Sequence, residues 1–237
     1  MNSQSISKEP ADWAPAVSVV LPVYNEVATV AEVLDRLAAL PFDIQLVVVD
    51  DHSDDGSWEL LQQRPNPDGH MTLLRHAINR GKGAAVRTAI PHCRGEVVIV
   101  QDADLEYHPD DIVTVVEPFA DTAVNAVYGS RYSRANPDRP AISNLANRWI
   151  TVLSNRLVGT RLSDMAVGYK AVRRSVLNQL ELTANGFGFD ADITRCLARR
   201  QVQILEVPIS YQPRGYAEGK KIRWHDFFAM LYQLLRR

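Results

Sequence analysis

Two periodicities alternate along the first half of the chain. Val17-Ser18-Val19-Val20-Leu21, Leu46-Val47-Val48-Val49, Thr72-Leu73-Leu74 and Glu96-Val97-Val98-Ile99-Val100 are short, almost continuous apolar runs rich in β-branched residues. Between them the spacing turns helical. Residues 27–39 carry Val30, Val33, Leu34 and Leu37 on one face, and residues 81–90 read as a helix with Pro91 near its end. Continuous apolar strands separated by amphipathic helices predict an α/β fold, a Rossmann-like, mostly parallel sheet covered by helices on both faces. Pro22 is expected to stop the first strand, and Ser57 to cap the helix after the second.

The second half is less periodic. Leu145, Trp149, Val152, Leu153 and Leu157 form a helical stripe, and the tail from Phe227 to Arg237 is apolar and aromatic with a basic end. Such stripes pack into a core by default, or lie in a lipid interface. Residues 64–69 predict a tight loop, and 134–140 a mobile loop inside one domain. The polar, Pro-containing segment 1–16 is expected to be disordered or loosely attached. A single folded domain then spans 17–237, with halves at 17–132 and 133–237.

Sheets of this kind bind ligands at the carboxyl ends of their strands. The polar motifs fall there: Pro22-Val23-Tyr24-Asn25-Glu26, Asp50-Asp51-His52-Ser53, and the row Asp102-Ala103-Asp104-Leu105-Glu106. Carboxylates this close repel unless a cation sits among them. Oxygen ligands without His or Cys favour Mg²⁺ or Mn²⁺, and Mg²⁺ commonly shares its shell with substrate phosphates. The plainer alternative has the acids capping a helix or facing solvent. Asn79-Arg80-Gly81-Lys82-Gly83 is a Gly-rich helix start suited to an anion, and it lacks the P-loop spacing.

In this order the motifs, together with Gly129-Ser130-Arg131-Tyr132, resemble family 2 glycosyltransferases of the GT-A fold. The polyprenyl-phosphate branch, similar to dolichol-phosphate mannose synthases, is the best match. Leu162-Ser163-Asp164-Met165, Gly168-Tyr169-Lys170, Gly186-Phe187-Gly188-Phe189-Asp190, Glu206-Val207-Pro208-Ile209 and Tyr216 to Ile222 extend the likeness. The resemblance implies a nucleotide pocket lined by Pro22, Tyr24 and Glu26, with Asp51 on the base or ribose and Lys82 and Ala103 beside the donor. It implies a divalent metal held by Asp102, Asp104 and Glu106, where Glu106 replaces a frequent Gln. Arg131, Arg214 and Lys220 or Lys221 would engage phosphates, their plainer roles being a surface ion pair and a solvated basic loop.

The implied reaction moves a hexosyl group from a GDP- or UDP-sugar to a polyprenyl phosphate with inversion. A phosphate acceptor is already anionic at neutral pH, its second pKa being about 6. A hydroxyl acceptor, as in a soluble natural-product intermediate, would need a base, and Asp192 or Asp190 is the candidate. Asp190 could instead cap the helix through 199. A nucleotidyltransferase or a non-catalytic nucleotide-sugar binder are the rival classes.

Composition changes little. Apolar residues make up 46% and charged residues 23%, as in ordinary folded domains, and the net charge of −2 argues against a nucleic-acid partner. Cys93 and Cys196 match no metal spacing, the amino terminus has no apolar signal core, and no run of about eighteen apolar residues occurs. The expectation is a cytoplasmic protein, peripheral on the membrane face at most.

Overall fold

The computed structural model describes residues 16–66, 68–132, 141–213 and 224–236, with side chains from 147 in the long helix and from 227 in the last one. The amino-terminal segment expected to be loose, the 134–140 loop, Arg214, Lys220 and Lys221 lie outside the described residues.

The strands are β1 (Val17–Val23), β2 (Ile44–Asp50), β3 (Met71–Arg75), β4 (Val97–Val100), β5 (Ala126–Ser130), β6 (Lys170–Arg173) and β7 (Ile204–Pro208). They form one seven-stranded sheet in the order β3-β2-β1-β4-β6-β5-β7, shared by both halves of the chain. Pairing is parallel except around β6, which runs antiparallel to β4 and β5. The helices are α1 (Val30–Ala38), α2 (Ser57–Gln63), α3 (Lys82–Ala89), α4 (Asp111–Val116), α5 (Ala141–Val158), α6 (Arg174–Leu177), α7 (Phe189–Arg199) and α8 (Trp224–Leu235).

The apolar runs became strands because every residue of β4, and all but Pro22 in β1, is buried. Pro22 does not end β1. It pairs in register with Val49, and the strand continues to Val23. α1 buries Val30, Val33, Leu34 and Leu37, the face expected from spacing. α3 buries Gly83, Ala84, Ala85, Val86 and Ala89, so its backbone lies close to its neighbours.

Ser57 does not cap α2. Gly56, at φ 99°, holds the cap position and the helix starts at Ser57. The Ser57 hydroxyl instead donates to Asp55 (2.6 Å) and accepts the Glu26 N–H (2.9 Å). Asn25 N–H donates to Ser53 (3.0 Å) and Val27 N–H to Asp55 (2.9 Å). The acidic turn after β2 thus staples the loop after β1.

β6 escaped the sequence reading because it carries two charged residues in four. Both are satisfied: Arg173 donates to the carbonyls of Val124 (2.7 Å) and Phe119 (2.9 Å) and pairs with Glu96. The stripe expected in α5 faces outward: Trp149 and Val152 are 66% and 62% exposed, Leu157 is exposed and Leu153 half-buried, while Ile150, off the stripe, is buried. α8 buries Met230 and Leu234 and exposes Phe228, Tyr232 and Leu235. The default of core packing fails for these outward residues. Among the described residues no helix is long and apolar enough to cross a membrane.

Leu37→Ala, at a fully packed position of α1, should lower the unfolding free energy by about 2–5 kcal/mol. Val152→Ser, on the open side of α5, should change it by no more than about 0.5 kcal/mol. Urea titrations with unchanged slope check both.

Candidate active site

β4 delivers the chain to a turn at the carboxyl edge. Gln101 is buried there; its amide donates to the Asp102 carbonyl (2.8 Å) and its carbonyl oxygen accepts the Tyr169 hydroxyl. Thr29, at the start of α1, donates to the Ala103 carbonyl (2.7 Å). Gly168 packs so closely that a Cβ there would stand 2.5 Å from Asp102 Oδ2 and 2.7 Å from the Tyr107 ring. The acid row is therefore pinned from two segments, at Thr29 and at Gly168-Tyr169.

Lys82 supplies the cation that the local sequence lacked. Its Nζ lies 2.6 Å from Asp102 Oδ1 and 2.9 Å from Oδ2. Burial alone would lower its pKa, but Asp102, Asp190 and Asp104 together hold the ammonium above the ordinary lysine range.

Asp51 explains how Lys82 gets there. One oxygen accepts the Arg80 N–H (2.9 Å) and lies 2.6 Å from His76 Nδ1; the other accepts the Gly81 N–H (2.6 Å). Gly81 stands at φ 91°, and a Cβ on it would meet the Asn185 carbonyl at 2.6 Å. On the far side, Asn185 accepts the Ala84 N–H at 2.8 Å. Asp51, expected on a base or ribose, is buried, and both its oxygens hold the turn that starts α3. His76 and Asn185 were missed in the sequence because each acts through a partner distant along the chain. Pro22 and Glu26 lie half-buried and buried near the same edge, Tyr24 is 37% exposed, and Glu26 accepts the Thr29 hydroxyl (3.0 Å).

Further along the sheet are two buried ion pairs. Arg131 grips Asp164 with Nε and Nη2, both at 2.7 Å, donates to the Ala166 carbonyl (3.2 Å), and lies 5.0 Å over the Tyr211 ring. Arg131, expected on a phosphate, is 7% exposed and its fork is filled by Asp164. Lys170 Nζ donates to Asp190 (2.8 Å) and sits 4.9 Å over the Tyr128 ring. Burial lowers its pKa although Asp190 opposes the shift. Asp190, in the first turn of α7, does not cap the helix; its charge reaches Lys82.

Asp192, expected as a base for a hydroxyl acceptor, is held by other partners. It is fully buried, Oδ2 accepts the N–H groups of Thr183 (2.6 Å) and Ala184 (2.9 Å), and Oδ1 pairs with Arg195 (2.6 Å). Burial would raise its pKa, but these donors and Arg195 outweigh it and hold the carboxyl below the usual range. A carboxylate so stabilised is a weak base.

Residues 18–181 match the family model described as Glycosyl transferase family 2. The chain belongs to that family. An undecaprenyl-phosphate 4-deoxy-4-formamido-L-arabinose transferase of Edwardsiella ictaluri is 32% identical over 86% of this chain and 62% of its own length. An undecaprenyl-phosphate mannosyltransferase of Micrococcus luteus is 30% identical over 86% of both chains. The chain spans 59% to 62% of the length of the arabinose transferases it matches. Among solved structures, glucosyl-3-phosphoglycerate synthase of Mycobacterium tuberculosis, in complex with Mn²⁺, UDP and phosphoglyceric acid, superposes with a TM-score of 0.70 at 20% identity, covering 93% of this chain and 78% of that one. The family 2 sheet with its single antiparallel insertion is the GT-A arrangement expected from the motifs.

The expected metal set is not gathered around one point in this structure. Among the described residues no three His, Cys, Asp or Glu side chains are grouped to hold a metal ion. Glu106 turns to the Tyr211 hydroxyl (3.2 Å), while Asp104 accepts the Glu106 N–H (3.0 Å). Asp102 and Asp104 remain a hard-oxygen pair, and such a pair fits Mg²⁺ or Mn²⁺ when phosphates complete the shell.

Asp164→Ala strands a buried guanidinium and should cost about 3–5 kcal/mol, with Arg131→Met/Asp164→Leu recovering most of it in denaturant titrations. Asp192 has a lowered folded pKa, so its stabilisation is complete above the unfolded value of 3.8 and is lost as pH falls below it. Asp192→Asn should therefore be less stable than wild type at neutral pH and lose less on acidification. Urea midpoints taken downward from about pH 5 measure the difference.

Proposed function

We propose that this chain transfers a hexosyl group from a nucleoside-diphosphate sugar to a polyprenyl phosphate, inverting the anomeric centre and using Mg²⁺ or Mn²⁺. One observation carries the reading. A charged lysine, Lys82, is held on Asp102 at the carboxyl edge, beside a second carboxylate and a helix start. Undecaprenyl phosphate appears in the names of the Edwardsiella and Micrococcus relatives, which supports that acceptor class.

The scissile bond joins sugar C1 to the diphosphate. Its transition state has oxocarbenium character, and negative charge grows on the leaving group. Lys82 exchanges its carboxylate partner for that group and stabilises charge as it develops. Asp102 and Asp104 would hold a divalent ion, which would supply neutralisation of the diphosphate charge. Tyr24 and Pro22 line the approach for the nucleoside, and Asp51 acts indirectly by fixing the Gly81 turn. The acceptor phosphate attacks without a protein base. The exposed Trp149, Val152, Phe228, Tyr232 and Leu235 offer an apolar surface for peripheral contact with the membrane that holds such an acceptor.

A thermal-shift panel of GDP-, UDP- and TDP-sugars with Mn²⁺ identifies the donor, since ligand at 100 times its dissociation constant stabilises by about 2.7 kcal/mol. Polyprenyl phosphate and the unphosphorylated polyprenol are then offered in detergent. Transfer to the phosphate alone is expected. Robust transfer to a soluble alcohol, with none to polyprenyl phosphate, would overturn the acceptor assignment and make Asp190 the base candidate.

Lys82 competes with a metal for Asp102. Lys82→Met should therefore tighten Mn²⁺ binding without donor, while weakening nucleoside-diphosphate binding about tenfold or more. Weaker Mn²⁺ binding in this variant, measured by calorimetry, would contradict the exchange of partners.

A further inference from the structure

α7 presents a second charged surface that the transfer chemistry does not use. A helix turns about 100° per residue, which puts Arg199 on the face opposite Asp190. A cleft of about 300 Å³ opens there, lined by Glu181, Thr183, Arg195, Arg199, Arg200 and Arg236 among others. Arg199 donates to the Arg236 carbonyl (3.2 Å), Arg200 to the Gln179 side chain (3.1 Å) and backbone carbonyl, and Arg236 to the Thr183 hydroxyl. All of these acceptors are neutral. Among the described residues no carboxylate lies within ion-pair distance of these three guanidinium groups. Arg195 is 6% exposed and pairs with Asp192, yet its Nε is buried without an acceptor.

Clustered guanidinium groups repel one another in the absence of a counter-charge, and their planar forks match phosphate oxygens. We propose that this cleft binds a phosphate-type anion, either a soluble phosphate or a lipid phosphate headgroup, at a site separate from the carboxyl edge. Its occupant would touch a segment that reaches that edge. Arg236 holds the Thr183 hydroxyl, and Arg195 holds Asp192, which accepts the Thr183 and Ala184 N–H groups. The next residue, Asn185, accepts the Ala84 N–H and backs the Gly81 turn that carries Lys82.

The test titrates inorganic phosphate and pyrophosphate into the protein in EDTA. Separately, it measures binding to vesicles of phosphatidylcholine with and without phosphatidylglycerol. Wild type is compared with R199Q/R236Q and with R200Q, all at exposed positions, and melting curves check that each variant folds. Binding of at least one probe should weaken about tenfold in the double variant, and in the same direction but less in R200Q. Donor-nucleotide affinity with Mn²⁺ should not change in R200Q, whose acceptors are on Gln179 and not on the Thr183 segment. Weakening with the soluble anions identifies a free phosphate; weakening confined to anionic vesicles identifies a headgroup. Equal binding by wild type and the double variant, or no binding of any probe by wild type, would overturn the proposal.

Discussion

The contact between Lys82 and Asp102 sets the requirements for the rest of the edge. An ammonium in a desolvated position costs several kcal/mol unless carboxylates surround it. Asp102 touches it, and Asp104 and Asp190 add their fields. To arrive there, α3 must begin at one place and in one direction, which Asp51 enforces through the Arg80 and Gly81 N–H groups. The backbone at Asn185 then has to lie against Gly81, which ties the loop before α7 to the first half of the chain. One ion pair thus fixes the relation between β2, β4, α3 and the approach to α7.

The acidic residues sort by how many donors each already holds. Asp51, Asp164 and Asp192 accept backbone N–H groups as well as a cationic or imidazole partner, and all three are buried. They are struts, because releasing one would leave N–H groups and charges unpaired in a low-dielectric interior. Among the described residues Asp102 holds only a flexible lysine, so its partner can be exchanged at smaller cost. That difference separates fixed from exchangeable counter-ions at this edge. The same criterion isolates the arginines at the carboxyl-terminal end of α7, whose acceptors are neutral.

Much of the architecture was legible in the sequence. Runs such as Val47-Val48-Val49 and the face Val30, Val33, Leu34, Leu37 encode their burial locally, through periodicity, and the acid row marked the carboxyl end of β4. Motif order carried the family assignment because it samples many positions at once. Tertiary structure alone decided the counter-ions. Nothing in the neighbourhood of Asp102 indicates Lys82, nothing near Asp51 indicates His76, and Asp192 looks like a free base until the Thr183 and Ala184 N–H groups fold over it. β6 was hidden for the same reason: Lys170 and Arg173 suit a central strand only when Asp190, Glu96 and the Val124 carbonyl are already in place. Burial of apolar side chains follows from nearest neighbours along the chain, whereas the state of a charge depends on which donors and counter-charges the fold turns toward it, from a few residues away at Asp192 to twenty or more at Asp102 and Asp51.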